Sequence, residues 1–271
     1  MLKNMKSKSR MKLLALAMTV GVSGCQTESQ MKKNISKVLK ENPDVIISSL
    51  ETDPEAFLNF LNKLSQKAKK IQTAKRQREE ELRIEKFLKS PMSPKISSAH
   101  ASLGVEGAPI TIVEYSDFEC GFCSRSSGVI KSLMDTYKGK IKFVYKHLPL
   151  SFHPNAKLAA QYFEAIRMID EKKAFDFHDK IFENQRVLKQ GKRGLRRLAQ
   201  ELSLNVKIIE KNLNNKKILD RIAQDVAEAE KFGFSGTPGF LLNGIPINGA
   251  YPLSHFEKII GLLKKEGKIA I

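Results

Sequence analysis

Two cysteines three residues apart, Cys120 and Cys123, stand where the chain changes period. Before them runs Ile110-Thr-Ile-Val113, apolar and rich in β-branched residues, which reads as a strand. After them Gly128-Val-Ile-Lys-Ser-Leu-Met-Asp-Thr-Tyr137 carries apolar residues at helical spacing. Cys-x-x-Cys therefore opens a helix fed directly by a strand.

Position decides reactivity, because the thiolate is the nucleophile and a free cysteine with a pKa of ~8.5 offers little of it at neutral pH. At a helix N-terminus the unpaired N–H groups and the macrodipole favour the anion. Cys120 faces them and is the expected nucleophile. Cys123, one turn on, can attack a mixed disulfide held on Cys120, which makes it the resolving thiol. Two other readings compete. Half a zinc site has the same spacing, but it needs two more ligands, and the chain has one other cysteine and five histidines, of which only His147 and His153 fall at His-x3-5-His spacing. No metal is expected. A structural disulfide closing so small a ring would stabilise little.

A second signature lies far downstream at Gly233-Phe-Ser-Gly-Thr-Pro-Gly-Phe-Leu-Leu-Asn-Gly244. An X-Pro bond entering an apolar strand tolerates the cis form, and beside a dithiol it can leave backbone groups for an extended substrate strand. Thr237 and Pro238 are thus the candidate substrate-binding residues.

Together, Tyr115-Ser-Asp-Phe-Glu-Cys-Gly-Phe-Cys123, Lys146-His-Leu-Pro-Leu-Ser-Phe-His-Pro-Asn-Ala156 and Gly236-Thr-Pro-Gly-Phe240 give the chain a resemblance to the thioredoxin superfamily, and within it to the DsbA-like disulfide oxidoreductases, over about residues 100 to 267. The resemblance implies the roles of nucleophile, resolving thiol and cis proline for Cys120, Cys123 and Pro238. It also implies a thioredoxin-like sheet split by a helical insert. The fold class expected is α/β, a thioredoxin-like fold with a helical insertion domain, preceded by an all-helical N-terminal extension.

The chain begins with Lys3, Lys6, Lys8, Arg10 and Lys12, then an apolar stretch from Leu13 to Val22, then Val22-Ser-Gly-Cys25. This is the pattern of a secretory signal over residues 1–25, with an apolar part too short for a permanent span. Val22-Ser-Gly-Cys25 also resembles a bacterial lipobox, so Cys25 is the candidate lipidation site; the expected location is the periplasm, with a lipid anchor at Cys25 or, on the other reading, ordinary cleavage that leaves or removes an idle Cys25. Cysteine use then divides into one residue for processing and two for redox work.

Residues 26–96 read as a helical stalk and linker. Asn42-Pro-Asp44 and Asp53-Pro-Glu55 each put a capping side chain before proline and an acid in the first turn. The second helix is expected from Pro54 to about Lys89, with Phe57, Leu61, Leu64, Ala68 and Ile71 forming an a/d seam that fades beyond Lys75 and Arg78. Such a helix pair has too little core of its own, so it packs on the catalytic domain or associates with copies of itself; a homo-oligomer through residues 26–96 and a plain spacer are the two readings. Monomeric sedimentation of residues 26–271 would refute the first. Ser90-Pro-Met-Ser-Pro-Lys-Ile-Ser-Ser98 ends the helix.

In the catalytic domain, 97–271, Lys140 to Lys146 reads as a strand parallel to the first. His147 and His153 lie outside Cys-x-x-Cys and are expected to be structural. Residues from Pro154 to about Lys231 are helical throughout, with Gly191 and Gly194 marking a loop; the insert is drawn at about 154–231. Tyr251-Pro-Leu-Ser254 opens a last helix bearing Phe256, Ile259, Ile260, Leu262 and Leu263.

The expected activity is that of a periplasmic thiol-disulfide oxidoreductase supporting disulfide formation in exported proteins through Cys120 and Cys123. A disulfide isomerase or reductase of the same fold, and a metal-sequestering envelope lipoprotein, are the alternatives. Gly121 and Phe122 supply no cation to the thiolate, so the Cys120 pKa should be depressed less than the ~3.5 of the strongest oxidants. No cofactor is implied. The partners implied are exported clients with cysteines and a membrane redox partner that resets the dithiol. The net charge of +18 persists as 42 basic against 29 acidic residues beyond Cys25, but export removes nucleic acid as a target and no binding motif accompanies the charge.

Overall fold

The computed structural model describes residues 28–44, 47, 48 and 53–271. The expected signal segment and Cys25 lie outside the described residues. Two compact units divide the chain, one ending at Lys75 and the other running from Arg76 to Ile271.

In the first unit, α1 (Glu28–Glu41) lies upstream of the Asn42-Pro43-Asp44 start signal, a helix the sequence reading did not single out. Helix α2 (Pro54–Lys89) begins where the capping pattern put it, with Asp53 Oδ1 accepting the Ala56 N–H at 2.9 Å. Met31, Ile35 and Val38 of α1 are each about half exposed, as are Leu61, Leu64 and Ile71 of the α2 seam.

The second unit takes in the rest of α2, where Ile84 is buried with Phe87 and Leu88 against the main core. The helix stops at Lys89, ahead of Pro91. Strands β1 (Ala101–Gly104), β2 (Ile110–Ser116), β3 (Ile141–His147), β4 (Gly239–Leu242) and β5 (Ile245–Asn248) form one sheet in the order β1-β3-β2-β4-β5. β2 and β3 are parallel with Ile110 opposite Ile141, and the other pairs are antiparallel. β1 was not legible beforehand: of its four residues only Ala101 is buried, so no alternation marks it. Between β4 and β5, Asn243 and Gly244 take positive φ (46° and 81°), the primed-turn geometry for which Asn-Gly is suited. A Cβ on Gly244 would come within 2.4 Å of the Met92 carbonyl, so the 91–98 segment can pass over the turn only because no side chain is there.

Helix α3 (Gly121–Thr136) joins β2 to β3. Between β3 and β4 the chain makes only helices: α4 (Ala156–Arg167), α5 (Glu171–Glu183), a 3-10 turn (Gln185–Gln190), α6 (Lys192–Glu201), α7 (Val206–Asn212) and α8 (Lys216–Lys231). Gly191 ends the 3-10 turn with φ 55°, whereas Gly194 sits inside α6, packed on Val187, rather than in the expected loop. Helix α9 (Leu253–Lys265) completes the unit. One face of the sheet and the insert share the larger core; Val113, Tyr115, Val144 and Leu241 look the other way, onto Phe234, Met92 and Ile96.

Candidate active site

Cys120 is the N-cap of α3, with extended backbone, and Cys123 lies in the first turn. Cys120 is 6% exposed and Cys123 fully buried. The turn that delivers them is braced by two carboxylates from the stretch between β2 and the dithiol. Asp117 accepts the Glu119 N–H (2.7 Å) and the Leu150 N–H (2.7 Å) and pairs with His153 Nδ1 (2.8 Å); Glu119 accepts the Asn155 N–H at 2.6 Å. His153 thus holds the turn, and His147 binds Glu164 at 3.1 Å inside the core. Burial resists ionisation of Glu164, but His147 and Arg167 prevail and hold its pKa at about 2.

From the insert, Gln185 Nε2 donates to the carbonyls of Phe118 (2.8 Å) and Cys120 (2.9 Å), and Phe182 O accepts the Ser124 hydroxyl at 2.8 Å. From the other end of the sheet comes the Thr237-Pro238 bond, which is cis. The Cys120 thiol donates to the Thr237 carbonyl at 3.4 Å, so residues 117 apart in sequence meet at one sulfur. Beside them the Phe234–Pro238 loop, Asn248 and Gly249 line a cleft of about 230 Å3. Phe122 stands 56% exposed next to the thiols, with the Arg125 guanidinium 4.3 Å over its ring. Among the described residues no group of three or more His, Cys, Asp or Glu is placed to hold a metal ion.

The two thiols are driven apart electrostatically. The hydrogen bond from Cys123 is the largest influence lowering the Cys120 pKa, to about 5; burial opposes it, while Thr237 and the N–H groups of Phe122 and Cys123 assist. That value lies above the ~3.5 of the strongest oxidants and well below a free thiol. Burial is the chief cause raising the Cys123 pKa, followed by the bond to Cys120 and the charge of Glu114.

Glu114 is the residue that sequence reasoning passed over. It lies on β2, 2% exposed, on the sheet face that α3 covers, and burial pushes its pKa up to about 8. Its Oε1 has no hydrogen-bond partner, and neither do the buried hydroxyls of Ser116 and Tyr145, on the same sheet face. A signal existed: a lone carboxylate inside the otherwise apolar Ile110-Thr-Ile-Val-Glu-Tyr115 run. Gln185 left no comparable signal.

Residues 97–261 match the family model described as thioredoxin. Among solved structures, a thioredoxin-like oxidoreductase from Silicibacter pomeroyi DSS-3 is 24% identical with a TM-score of 0.55, covering 62% of this chain and 94% of that one. The thiol-disulfide exchange protein alpha-DsbA2 of Wolbachia pipientis is 20% identical (TM-score 0.55, 69% and 97% covered), and the catalytic domain of Proteus mirabilis ScsC 17% identical (0.54, 61% and 89%). Among curated relatives, the Na(+)/H(+) antiporter NhaA 3 of Salinispora tropica is 37% identical over 150 residues, 55% of this chain but 22% of that protein. The chain therefore spans less than a quarter of the antiporter it matches. Over more than half of its length it nonetheless belongs to the thioredoxin family, with the fold of that family's DsbA-like members.

Proposed function

We propose that the protein is a thiol-disulfide oxidoreductase acting on exported proteins through Cys120 and Cys123. The observation that carries this reading is the split between the two thiols: one depressed to about 5 at a helix N-terminus and touching Thr237, the other buried and raised. In the oxidising direction a client thiolate attacks Cys120 Sγ; the Cys120–Cys123 bond breaks and the electron pair leaves on Cys123. A second client thiolate then attacks the client sulfur of the mixed disulfide and expels the Cys120 thiolate. Client dithiol becomes disulfide, and two electrons pass to the protein pair.

Cys123 has a raised pKa and must take up a proton when it leaves. Glu114, neutral below about 8 and electrostatically coupled to Cys123, is the proton donor in this scheme and the acceptor in reverse. Thr237 and Pro238 border the cleft offered to the client strand. Export from residues 1–25, a lipid at Cys25, domain borders at 25/26 and 96/97 and a membrane partner that resets the dithiol rest on the sequence. The half-exposed apolar residues of α1 and α2 support self-association through residues 26–96 over a plain spacer.

Reactivation of scrambled ribonuclease by residues 26–271, with Cys120→Ser as control, tests the function. Cys120-dependent recovery would identify an isomerase. Oxidation of reduced ribonuclease without recovery of the scrambled form would identify a disulfide donor. Inactivity in both would sink the proposal.

A further inference from the structure

The insert carries a charge pattern that the redox chemistry does not use. From Arg186 to Gln200 there are six cations and no acid. Four of them, Lys192, Arg193, Arg196 and Arg197, fall at i, i+1, i+4 and i+5 on one face of α6, and Lys189 lies just ahead of them near the end of the 3-10 turn. All five are exposed, while Leu195, Leu198 and Ala199 on the opposite face are buried in the core. Partial neutralisation comes from outside the segment: Glu210 lies 3.5 Å from Lys192 and 3.3 Å from Arg196, and Glu201 lies 3.7 Å from Arg197. Arg186, Lys189 and Arg193 form no ion pair among the described residues.

The segment that carries the stripe starts at the dithiol loop. Gln185, the residue before Arg186, holds the Cys120 carbonyl at 2.9 Å. The 3-10 turn that follows carries Arg186 and Lys189; at Gly191 the chain turns, and α6, packed on Val187 of that turn through Gly194, carries the other four cations. The cations thus belong to the insert segment whose first residue touches the dithiol loop.

We infer that the Lys189–Arg197 stripe is a docking surface for acidic polypeptide segments of the client, which selects clients with Asp and Glu near the reacting cysteine. The inference rests on the redox reading of Cys120 and adds a substrate class to it. Charge complementarity names the occupant. A lipid surface fits less well, since a membrane-binding helix needs an exposed apolar face and the apolar face of α6 is spent on the core.

The test uses three substrates on residues 26–271: a small uncharged disulfide, and two peptides with the same reacting cysteine and either acidic or neutral flanks. The acidic peptide should react about tenfold faster at low salt, and the advantage should shrink as ionic strength rises. In Lys189→Glu/Arg193→Glu, checked for folding by circular dichroism, the advantage should vanish or reverse. Equal rates for the two peptides at low salt would overturn the inference while leaving the redox reading intact. Failure to react with the small disulfide would overturn the redox reading and the inference with it. Binding to anionic vesicles that the double substitution abolishes, with no difference between the peptides, would assign the stripe to lipid and overturn the polypeptide reading.

Discussion

Two clusters of buried charge, one on each face of the central sheet, are treated in opposite ways. On the face turned away from α3, Lys146 is 1% exposed yet pairs with Glu228 and donates to the Lys95 carbonyl at 2.8 Å. Glu228 in turn accepts the Tyr115 hydroxyl (2.6 Å) and the Lys95 N–H (2.7 Å), and Asp225 accepts the His147 N–H (3.1 Å). On the face beneath the dithiol, Glu114 is as buried but leaves Oε1 without a partner, beside two orphan hydroxyls. A buried charge that is fully paired holds elements together; one left unpaired shifts its pKa into the physiological range, where it can exchange protons. The first cluster fastens the 91–100 segment to the sheet. The second lies beneath the dithiol of the proposed redox chemistry.

Breaking the paired cluster should have the largest effect. Lys146→Met leaves the buried Asp225 and the partly buried Glu228 without the Lys146 cation and should lower the unfolding free energy by about 3–5 kcal/mol in denaturant titration. Less than ~1 kcal/mol would mean that the network is not holding the face together. Tyr115→Phe, which removes one charge-assisted hydrogen bond to Glu228, should cost about 1–3 kcal/mol by the same measurement and leave the Cys120 titration midpoint, followed by thiolate absorbance, near pH 5. A displaced midpoint would show that the two faces are coupled.

The unpaired face should respond least at low pH. Near pH 5 the Glu114 carboxyl is still protonated in the folded chain, so Glu114→Gln should change stability by less than ~1 kcal/mol. The difference then grows with pH. Between the ordinary value of 4.5 and the folded value of about 8, the folded state binds the extra proton, so Glu114 makes stability fall on the order of 1.4 kcal/mol per pH unit. Cys120 acts in the opposite sense: its pKa is lowered, so it adds stability as pH rises above about 5 and would mask the slope. The comparison therefore belongs in a Cys120→Ser background, with and without Glu114→Gln. Equal pH slopes in the two proteins would remove Glu114 from its role as the titrating acid.

Where structure is local, the residues announced it. The change from β-branched run to helical period placed Cys120 and Cys123 at a strand–helix joint, and Asp53-Pro54 marked the start of α2 to the residue. Asn243-Gly244 set a tight hairpin, and the run of helical periods from Pro154 to about Lys231 marked the insert. These signals come from neighbours within about ten residues, through capping, turn geometry and periodic burial.

What sequence left open depends on groups brought together from far apart. β1 became a strand because the free edge of β3 offered it hydrogen bonds, a vacancy that four weakly patterned residues cannot announce. Gln185 is one amide among many until the insert folds back over residues 118–120. Thr237 reaches Cys120 only once β4 lies beside β2. Glu114 was visible as a charge in an apolar strand, but its proton affinity was set by how much water the α3 face excludes. By itself the sequence determined the elements, the dithiol and its place at a helix start, because those follow from short-range geometry. Tertiary structure alone decided how far the two thiols' pKa values separate and which acid stays protonated, because desolvation and charge at a site are sums over everything packed around it.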